Sequence, residues 1–323
     1  MSGYRLLTVG ECIKKLLEVE KPLVVMHVRP DGDTVGSGIA LIRILKALGK
    51  NAPFICSDKI PERLGFIIGE EKMLDDGDDF TEYEAIAIDV ASPAQLGELN
   101  GKIKPYLMID HHEVGYPFAD SYIIPGASSA AEVLMTLAEE LVTGGKLELE
   151  CGIASALYTA MCSDTGGFVF SNTSPATMRR AAALMEIGVD HAAINHALFH
   201  SKTKEQIRAE GFAAANIKTA FDGKVAYVTV SRADRESLGI PWEYFETAID
   251  VARSVRGAEI AFVIKELDSA IKVSLRSTGK DVASIAASFG GGGHLRAAGC
   301  SIAAKDSDEA EELLLSKIKE LNI

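Results

Sequence analysis

The sequence predicts an α/β protein of two domains, the first built on a mainly parallel sheet with both faces covered and the second a smaller α/β unit. Three observations lead to this fold class. A chain of 323 residues that is 47% hydrophobic is long enough for two cores. The first half alternates short apolar runs with helical patterns, which is typical of strand-helix-strand units. New strand candidates follow a long helical stretch in the second half.

In the first half, apolar runs at 23–26, 85–88 and 106–109 are strand candidates, and the run 160–163 is interpreted in the same way. The segment after Asp33 has apolar residues at 41, 44, 45 and 48, which is the spacing of one helical face, and Gly49 is expected to end that helix. Ser129 and Glu132 have capping-box spacing ahead of a further helix.

The second half begins with a helical region from about 174 to 216, interrupted at 188–190 and 200–204. We therefore predict a first domain over 1–190, a helical linker over 191–216 and a second domain over 217–323. Strand candidates in the second domain are 224–230, 259–265 and 270–275, and Leu314, Ile318 and Leu321 share one face of a final helix.

Composition limits the location and the partners. No apolar stretch approaches the roughly 18–20 residues of a membrane helix, and the N-terminus lacks the plan of a secretory signal. Five scattered cysteines without a CxxC pair are interpreted as buried thiols, so we expect a cytoplasmic protein without a membrane partner. A net charge of −13 argues against a duplex DNA partner. The oligomeric state stays open, and a homodimer is compatible with the sequence.

Four segments, all interpreted as strand candidates, end in side chains that bind divalent cations. Ligands gather beyond the carboxyl ends of parallel strands, so these side chains are expected to share one site. Carboxylates with a minority of imidazoles suit Mn²⁺ or Mg²⁺, although ligand type leaves Zn²⁺, Fe²⁺ and Co²⁺ open. Six candidates suit two ions about 3.5–4 Å apart better than one ion. The candidate ligands are His27, Asp31, Asp33, Asp89, His111 and Asp164, with Asp110 and His112 beside them.

Each of these segments also has an ordinary structural interpretation. Asp31-Gly32-Asp33 after Pro30 is typical of a turn, and a single Asp89 or Asp164 is typical of a helix cap. The metal hypothesis depends on their occurring together and in this order.

A glycine-rich segment in the second domain is a candidate for phosphate binding. Gly291, Gly292 and Gly293 would let backbone N–H groups approach a phosphate, next to His294 and Arg296. Arg276 and Ser277 stand at the end of a predicted strand and offer a second guanidinium. The alternative is a flexible turn, because the spacing of the known dinucleotide and P-loop fingerprints is absent.

Taken together, these motifs resemble the DHH phosphoesterase superfamily with its C-terminal DHHA1 domain. The motifs are the run from His27 to Ser37, Asp89, Asp110-His111-His112, the run from Ser163 to Gly166, and the run from Gly290 to Gly299. The resemblance covers essentially the whole chain. Within the superfamily, the length and the segments at 274–277 and 291–294 are most similar to the nano-RNase A branch, whose members degrade short oligoribonucleotides and remove the 3′-phosphate of adenosine 3′,5′-bisphosphate (pAp).

The resemblance implies a role for each candidate residue. One Mn²⁺ would be held by His27, Asp31 and Asp89, and a second by Asp33, Asp89, His111 and Asp164, with Mg²⁺ or Co²⁺ as other options for both. His112 would face the scissile phosphate and Asp110 would orient a ligand from behind. Arg276, Ser277, the glycines 291–293, His294 and Arg296 would bind the nucleotide, which places the active site in a cleft between the two domains.

Two positions depart from the branch: Gln95 stands near a place where an arginine is common, and Ala130 where a threonine is common. The predicted function is two-metal activation of a water that hydrolyses short RNA to 5′-mononucleotides and pAp to AMP. Hydrolysis of linear or cyclic dinucleotides and a non-catalytic nucleotide-binding regulatory module remain alternatives. An inorganic pyrophosphatase is disfavoured by the glycine-rich second domain, and an exonuclease for long DNA by the compact length.

Overall fold

A computed structural model describes residues 3–112 and 117–320. The chain divides into two compact units, Met1–Ser201 and Lys202–Ile323. This division falls inside the segment 191–216 to which the sequence analysis assigns a helical linker. The exact linker bounds and the cleft between the domains stay predictions.

The first unit alternates strands and helices as predicted. Thr8 and Glu11 form a capping box that starts the first helix, and Gly49, with a φ of +79°, ends the helix that follows Asp33. The elements are α1 (Val9–Glu18), β1 (Pro22–Val25), α2 (Gly32–Ala47), β2 (Phe54–Ile55), α3 (Gly65–Ile68), β3 (Glu84–Ile88), β4 (Pro105–Asp110), β5 (Asp120–Ile123), α4 (Ala130–Thr143), α5 (Cys151–Asp164), α6 (Pro175–Glu186) and α7 (His191–Asn195). Two 3₁₀-helices, Glu62–Leu64 and Pro93–Leu99, and a π-helical turn, His196–His200, complete the unit.

The sheet of the first unit has five strands in the order β2-β1-β3-β4-β5, and all of its pairs are parallel. In register, Val25 of β1 pairs with Ala87 of β3, and Ile88 of β3 pairs with Ile109 of β4. The prediction of a mainly parallel sheet is confirmed. The carboxyl ends of β1, β3 and β4 therefore lie side by side at one edge.

Both faces of this sheet are covered, one by α-helices and the other by a 3₁₀-helix and loops. On one face, Val24, Ile86 and Ile109 belong to a core shared with α2, α4 and α5. On the other face, Leu23 and Ala87 pack against the 3₁₀-helix Pro93–Leu99 and neighbouring loops. Nearly every residue of α2 from 32 to 45 is buried, so this helix is covered on all sides and not only on the predicted apolar face.

The second unit is a six-stranded mixed sheet with helices. Its elements are α8 (Lys204–Ala215), β6 (Lys218–Ala220), β7 (Val225–Val230), α9 (Arg232–Leu238), a 3₁₀-helix (Trp242–Thr247), α10 (Ala248–Arg253), β8 (Ile260–Glu266), β9 (Ile271–Ser277), α11 (Val282–Ser288), β10 (Gly292–His294), β11 (Ala297–Ile302) and α12 (Ser307–Glu320). The strand order is β10-β11-β9-β8-β7-β6, and only the β7–β8 pair is parallel. The three predicted strands correspond to β7, β8 and β9. Leu314 and Ile318 of α12 are buried, whereas Leu321 lies outside the described residues.

Two details differ from the sequence-based expectations. The glycine-rich segment is not a loop, because β10 and β11 form an antiparallel pair there. Cys151 is exposed at the start of α5, whereas the four other thiols are buried as expected. Within the described residues, no helix is both long and apolar enough to cross a membrane.

Candidate metal centre

Three of the candidate side chains stand where neighbouring strands of the first unit end. His27 lies two residues after β1, Asp89 directly follows β3, and Asp110 is the last residue of β4. Because these strands are parallel and adjacent, their ends deliver all three side chains to one edge of the sheet. Asp89 and Asp110 are 3% and 2% exposed, so the polar groups at this edge are taken out of water.

The start of α2 supplies two more carboxylates. Asp31 is the N-cap of α2, and its Oδ1 accepts hydrogen bonds from the backbone N–H groups of Asp33 and Thr34 at 2.9 and 3.1 Å. Asp33 lies in the first turn and is 1% exposed. Asp31, which the sequence places in a turn, is therefore a helix N-cap, and this role leaves the second carboxylate oxygen of Asp31 for another partner.

Asp164 reaches the site from a helix. The run 160–163 belongs to α5, and Asp164 is the last residue of that helix, so the interpretation of this run as a strand end is wrong. A helix buried on most sides shows the same uninterrupted apolar run as a buried strand, which is why the sequence pattern did not separate them.

The six candidate ligands form two compact groups, one of His27, Asp31 and Asp89 and one of Asp33, His111 and Asp164, with the ligand atoms of each group within 4.8 Å of one another, and a third, overlapping group joins Asp89 and His111 to Asp110 and His112. In the first group, His27 Nε2 lies 3.3 Å from Asp89 Oδ2 and 3.7 Å from Asp31 Oδ1. In the second, His111 Nε2 lies 3.7 Å from Asp33 Oδ2. Asp89 connects the groups, because its Oδ1 lies 3.5 Å from His111 Nε2.

The orientation of the two imidazoles suits cation binding. His27 Nδ1 lies 2.8 Å from the carbonyl oxygen of Val28, and His111 Nδ1 lies 3.1 Å from that of Ala127. A carbonyl oxygen only accepts, so each Nδ1 carries a proton and each Nε2 points towards the carboxylates. Histidine ligands of metal ions commonly have this arrangement, with the remote nitrogen bonded to a carbonyl or carboxylate.

The electrostatics of the centre favour a bound positive charge. Burial, together with the nearby Asp89 and Asp164, raises the pKa of Asp33 well above its usual range, and burial raises the pKa of Asp164 to about 6. Burial alone would lower the pKa of His27, but the nearby carboxylates of Asp31 and Asp89 outweigh burial and raise this pKa to about 11. Carboxylates that repel one another in a buried site are stabilised by protons or by cations. The donor set of carboxylates and imidazoles therefore fits a divalent cation.

His112 is set up differently from the other two histidines. Its Nδ1 lies 2.7 Å from Asp110 Oδ1, which also accepts the backbone N–H of His111 at 2.8 Å. The hydrogen bond to Asp110 raises the pKa of His112 and fixes the ring. The side chain is 29% exposed, so His112 stays accessible at the rim of the centre.

Sequence reasoning missed the groups that hold Asp33. Its Oδ1 accepts from Ser37 Oγ at 2.8 Å, one turn along α2, and its Oδ2 accepts from the backbone N–H of Ala130 at 2.7 Å. Ala130 therefore contributes a backbone N–H, which any residue except proline would also supply at this position. Only the i, i+4 spacing of Asp33 and Ser37 could have been found in the sequence.

Gln95, the other residue that departs from the nano-RNase A branch, also has a structural role. The side-chain oxygen of Gln95 accepts from the N–H groups of Ala91 and Ser92 at 2.6 and 3.3 Å and so caps the turn after Asp89. Asp89 itself has a φ of +59°, an uncommon backbone conformation for a residue other than glycine. Such strained positions are concentrated at functional sites.

In the second unit, three of the predicted nucleotide-binding residues lie together at one end of the sheet. Arg276 of β9 is paired with Ala297 of β11, and the N–H of Ser277 donates to the carbonyl of Arg296 at 3.0 Å. Arg296 is exposed, while burial lowers the pKa of the partly buried Arg276 guanidinium. The side chain of His294 lies outside the described part of the structure.

The three glycines of this segment are not equivalent. A Cβ on Gly291 would come within 2.3 Å of the Gly299 carbonyl oxygen, and one on Gly293 within 2.5 Å of the Ala297 carbonyl oxygen. Both positions need glycine because β10 lies close against β11. A Cβ on Gly292 would meet no heavy atom within 4 Å, so packing against β11 does not require glycine at this position.

Comparison with known proteins agrees with the geometry. Residues 21–161 match the model of the DHH family, N-terminal domain, and residues 222–321 match the DHHA1 domain. The chain is 30% identical over 310 residues to the bifunctional oligoribonuclease and PAP phosphatase NrnA of Thermus thermophilus, covering 94% of this chain and 91% of that protein. It is 26% identical to the cyclic-di-AMP phosphodiesterase PdeA of Listeria monocytogenes, over 96% of this chain but 49% of that protein. The solved structure of an exopolyphosphatase-related protein from Bacteroides fragilis shares the fold, with a TM-score of 0.89 and 24% identity over 97% of this chain and 96% of that one.

Proposed function

Because this chain belongs to the DHH family of phosphoesterases and carries a DHHA1 domain, we propose that it hydrolyses short oligoribonucleotides to 5′-mononucleotides and pAp to AMP. The similarity to a bifunctional oligoribonuclease and PAP phosphatase over nearly the full length of both chains supports this choice of substrates. A cytoplasmic location, and the absence of duplex DNA and membrane partners, belong to the same proposal. A homodimer stays a prediction of the sequence.

The observation that carries the proposal is the pair of ligand groups joined by Asp89. His27, Asp31 and Asp89 would hold one divalent cation, and Asp33, His111 and Asp164 the other, with Asp89 shared. Two bound cations supply an activated water and neutralise the phosphate during displacement. Mn²⁺ is our first choice of ion from the ligand types, with Mg²⁺ or Co²⁺ as other options.

The remaining residues act on the substrate itself. With Nδ1 held by Asp110, His112 would direct Nε2 to a phosphate oxygen and donate a hydrogen bond to it. Asp110 would keep His112 in the charged form that donates best, since their hydrogen bond raises the pKa of His112.

The second unit would bind the nucleotide. Arg276 and Arg296 would contact the terminal phosphate, and Ser277, His294 and the 291–293 backbone would contribute further hydrogen bonds. Because these contacts exist before and during the reaction, their loss would raise KM more than it lowers kcat.

The decisive experiment compares the wild-type protein with Asp89→Asn. Asparagine tolerates the positive φ at this position, so the variant removes the shared charge while keeping the backbone. We expect Mn²⁺-dependent release of mononucleotides from short RNA and of phosphate from pAp, lost by at least about 100-fold in the variant. Asp76→Asn, which changes an exposed aspartate, is the matched control and should keep full activity.

Full activity in a folded Asp89→Asn protein would contradict the shared-ligand assignment. Pyrophosphate and long DNA serve as comparison substrates, and neither should be preferred. If no substrate is hydrolysed while nucleotide still binds, the regulatory-module alternative replaces the enzyme.

Hydrolysis of dinucleotides is a second candidate, favoured by the similarity to the cyclic-di-AMP phosphodiesterase over 96% of this chain. The same site would serve both reactions, because each is the hydrolysis of a phosphodiester bond between ribonucleotides. Product analysis with linear and cyclic di-AMP distinguishes cleavage of linear chains from cleavage of cyclic dinucleotides, because the cyclic substrate has no terminal phosphate for Arg276 and Arg296 to contact.

A further inference from the structure

The segment 127–131, between β5 and the first turn of α4, touches two of the candidate ligands. The carbonyl oxygen of Ala127 accepts from His111 Nδ1 at 3.1 Å. The N–H groups of Ala130 and Ala131 donate to Asp33 Oδ2 and Oδ1 at 2.7 and 3.3 Å. One short stretch of backbone therefore sets the orientation of both Asp33 and His111.

Asn172 ties the third ligand of the same group to this segment. Its Nδ2 lies 3.0 Å from the carbonyl oxygen of Ser128, 3.1 Å from that of Asp164 and 3.3 Å from Asp164 Oδ2. Two of these atoms are carbonyl oxygens, which only accept, so the amide nitrogen and not the amide oxygen must face them. Asp164 and Ser128 thus share one donor group.

Glu132 holds the segment in place from the other side. This carboxylate is 4% exposed, and its Oε2 accepts from the N–H of Ser128 at 2.8 Å and from Thr177 Oγ1 at 3.0 Å. Its Oε1 accepts from Arg180 Nη1 at 3.2 Å. A buried carboxylate with several donors is costly to move, which makes the segment a rigid support.

The segment 127–131 supports only one of the two ligand groups. Within the described residues, none of the hydrogen bonds made by the side chains of His27, Asp31 and Asp89 reaches the segment 127–131. His27 is held by the carbonyl of Val28 and Asp31 by its own helix. Segment 127–131 therefore supports the Asp33–His111–Asp164 group alone, although the two groups share Asp89 and Asp33 donates its N–H to Asp31.

We propose that Asn172 is a positioning residue that sets the cation affinity of the Asp33–His111–Asp164 group and leaves that of the His27–Asp31–Asp89 group unchanged. This inference rests on the proposed two-cation function. Losing a residue that orients a ligand typically lowers metal affinity 10- to 100-fold. Asn172 is exposed, so its substitution removes the hydrogen bonds without opening a cavity.

The test measures Mn²⁺ binding to metal-free protein by calorimetry, without substrate. Wild type should bind two equivalents, and Asn172→Ala should bind one of them about 10- to 100-fold more weakly. Asn172→Leu keeps the approximate size of the side chain and removes the donor without adding charge, so it should show the same loss and serves if the alanine variant does not fold. Asn51→Ala, an exposed asparagine before β2 at the opposite edge of the sheet, should bind as wild type does.

Combining Asn172→Ala with a variant that weakens one ligand group shows which of the two groups Asn172 supports. In His27→Ala, which weakens the first group, adding Asn172→Ala should weaken the remaining cation. In Asp164→Ala, which weakens the second group, the remaining cation is held by the first group, so adding Asn172→Ala should leave its affinity unchanged. Unchanged affinity in Asn172→Ala, or an equal loss in both backgrounds, would overturn the inference while leaving the proposed function intact. A wild type that binds fewer than two equivalents would instead refute the two-cation function, and this inference with it.

Discussion

Gly36 allows α2 and α5 to approach each other where each carries a candidate ligand. A Cβ at this position would lie 2.8 Å from the Ala156 carbonyl oxygen and 2.9 Å from the backbone nitrogen and Cβ of Ala160. Two of these atoms are backbone, which cannot rotate away. Gly36→Ala should therefore push the helices apart by about 0.6 Å, the difference between 2.8 Å and an ordinary contact of about 3.4 Å.

The energy of this change has two opposing parts. Overpacking a well-packed core costs about 1–3 kcal/mol, and alanine regains about 1 kcal/mol of helix propensity over glycine. The net loss is up to about 2 kcal/mol, which would lower the Tm of a unit of this size by about 4–8 °C. Asp33 on α2 and Asp164 on α5 would separate as well, so we expect a drop in kcat/KM of about tenfold or more, since a 1 Å displacement can cost 100-fold.

The assay is thermal unfolding together with pAp hydrolysis, with Gly38→Ala as the matched control. Gly38 lies in the same helix, but its Cβ would come closest to the terminal methyl of Met26, which can move. The control should lose little stability or activity. The reasoning is refuted if Gly36→Ala is as stable and as active as Gly38→Ala.

Two further predictions concern the rest of the chain. The Glu311 carboxylate accepts hydrogen bonds from Lys218, Thr229 and Tyr227. Burial alone would raise the pKa of Glu311, but these donors outweigh burial and lower it. The contribution of Glu311 to stability is therefore present above its unfolded pKa and is lost as the pH falls through the lower folded pKa. Glu311→Gln should therefore destabilise the second unit by about 1–3 kcal/mol at pH 7 and by less near pH 3, measured by denaturant unfolding, and an equal loss at both values would contradict this account. Cys151 is exposed, and a thiol reagent should modify one cysteine quickly in the native protein and the other four only on unfolding; fast modification of more than one would refute the burial assignments.

Several features of this protein could be predicted from the sequence because they depend on local chemistry and spacing. The strands that end at Asp89 and Asp110, the helix that occupies the segment after Asp33 and ends before Gly49, and the helical region after 174 all follow from apolar periodicity and turn residues. The types of the ligand side chains also favoured divalent cations before any geometry was known.

Other features were decided by the tertiary structure alone. Ala130 donates its backbone N–H to Asp33 across 97 positions of sequence, and Asn172 reaches Ser128 across 44. Neither contact has a sequence signature, because any residue except proline carries the same backbone N–H group and an asparagine before a helix is common. The glycine-rich segment pairs as a strand because it meets β11, although glycine by itself disfavours strands. Periodicity and side-chain chemistry act over a few residues, whereas the packing of distant elements determines which backbone groups surround the centre.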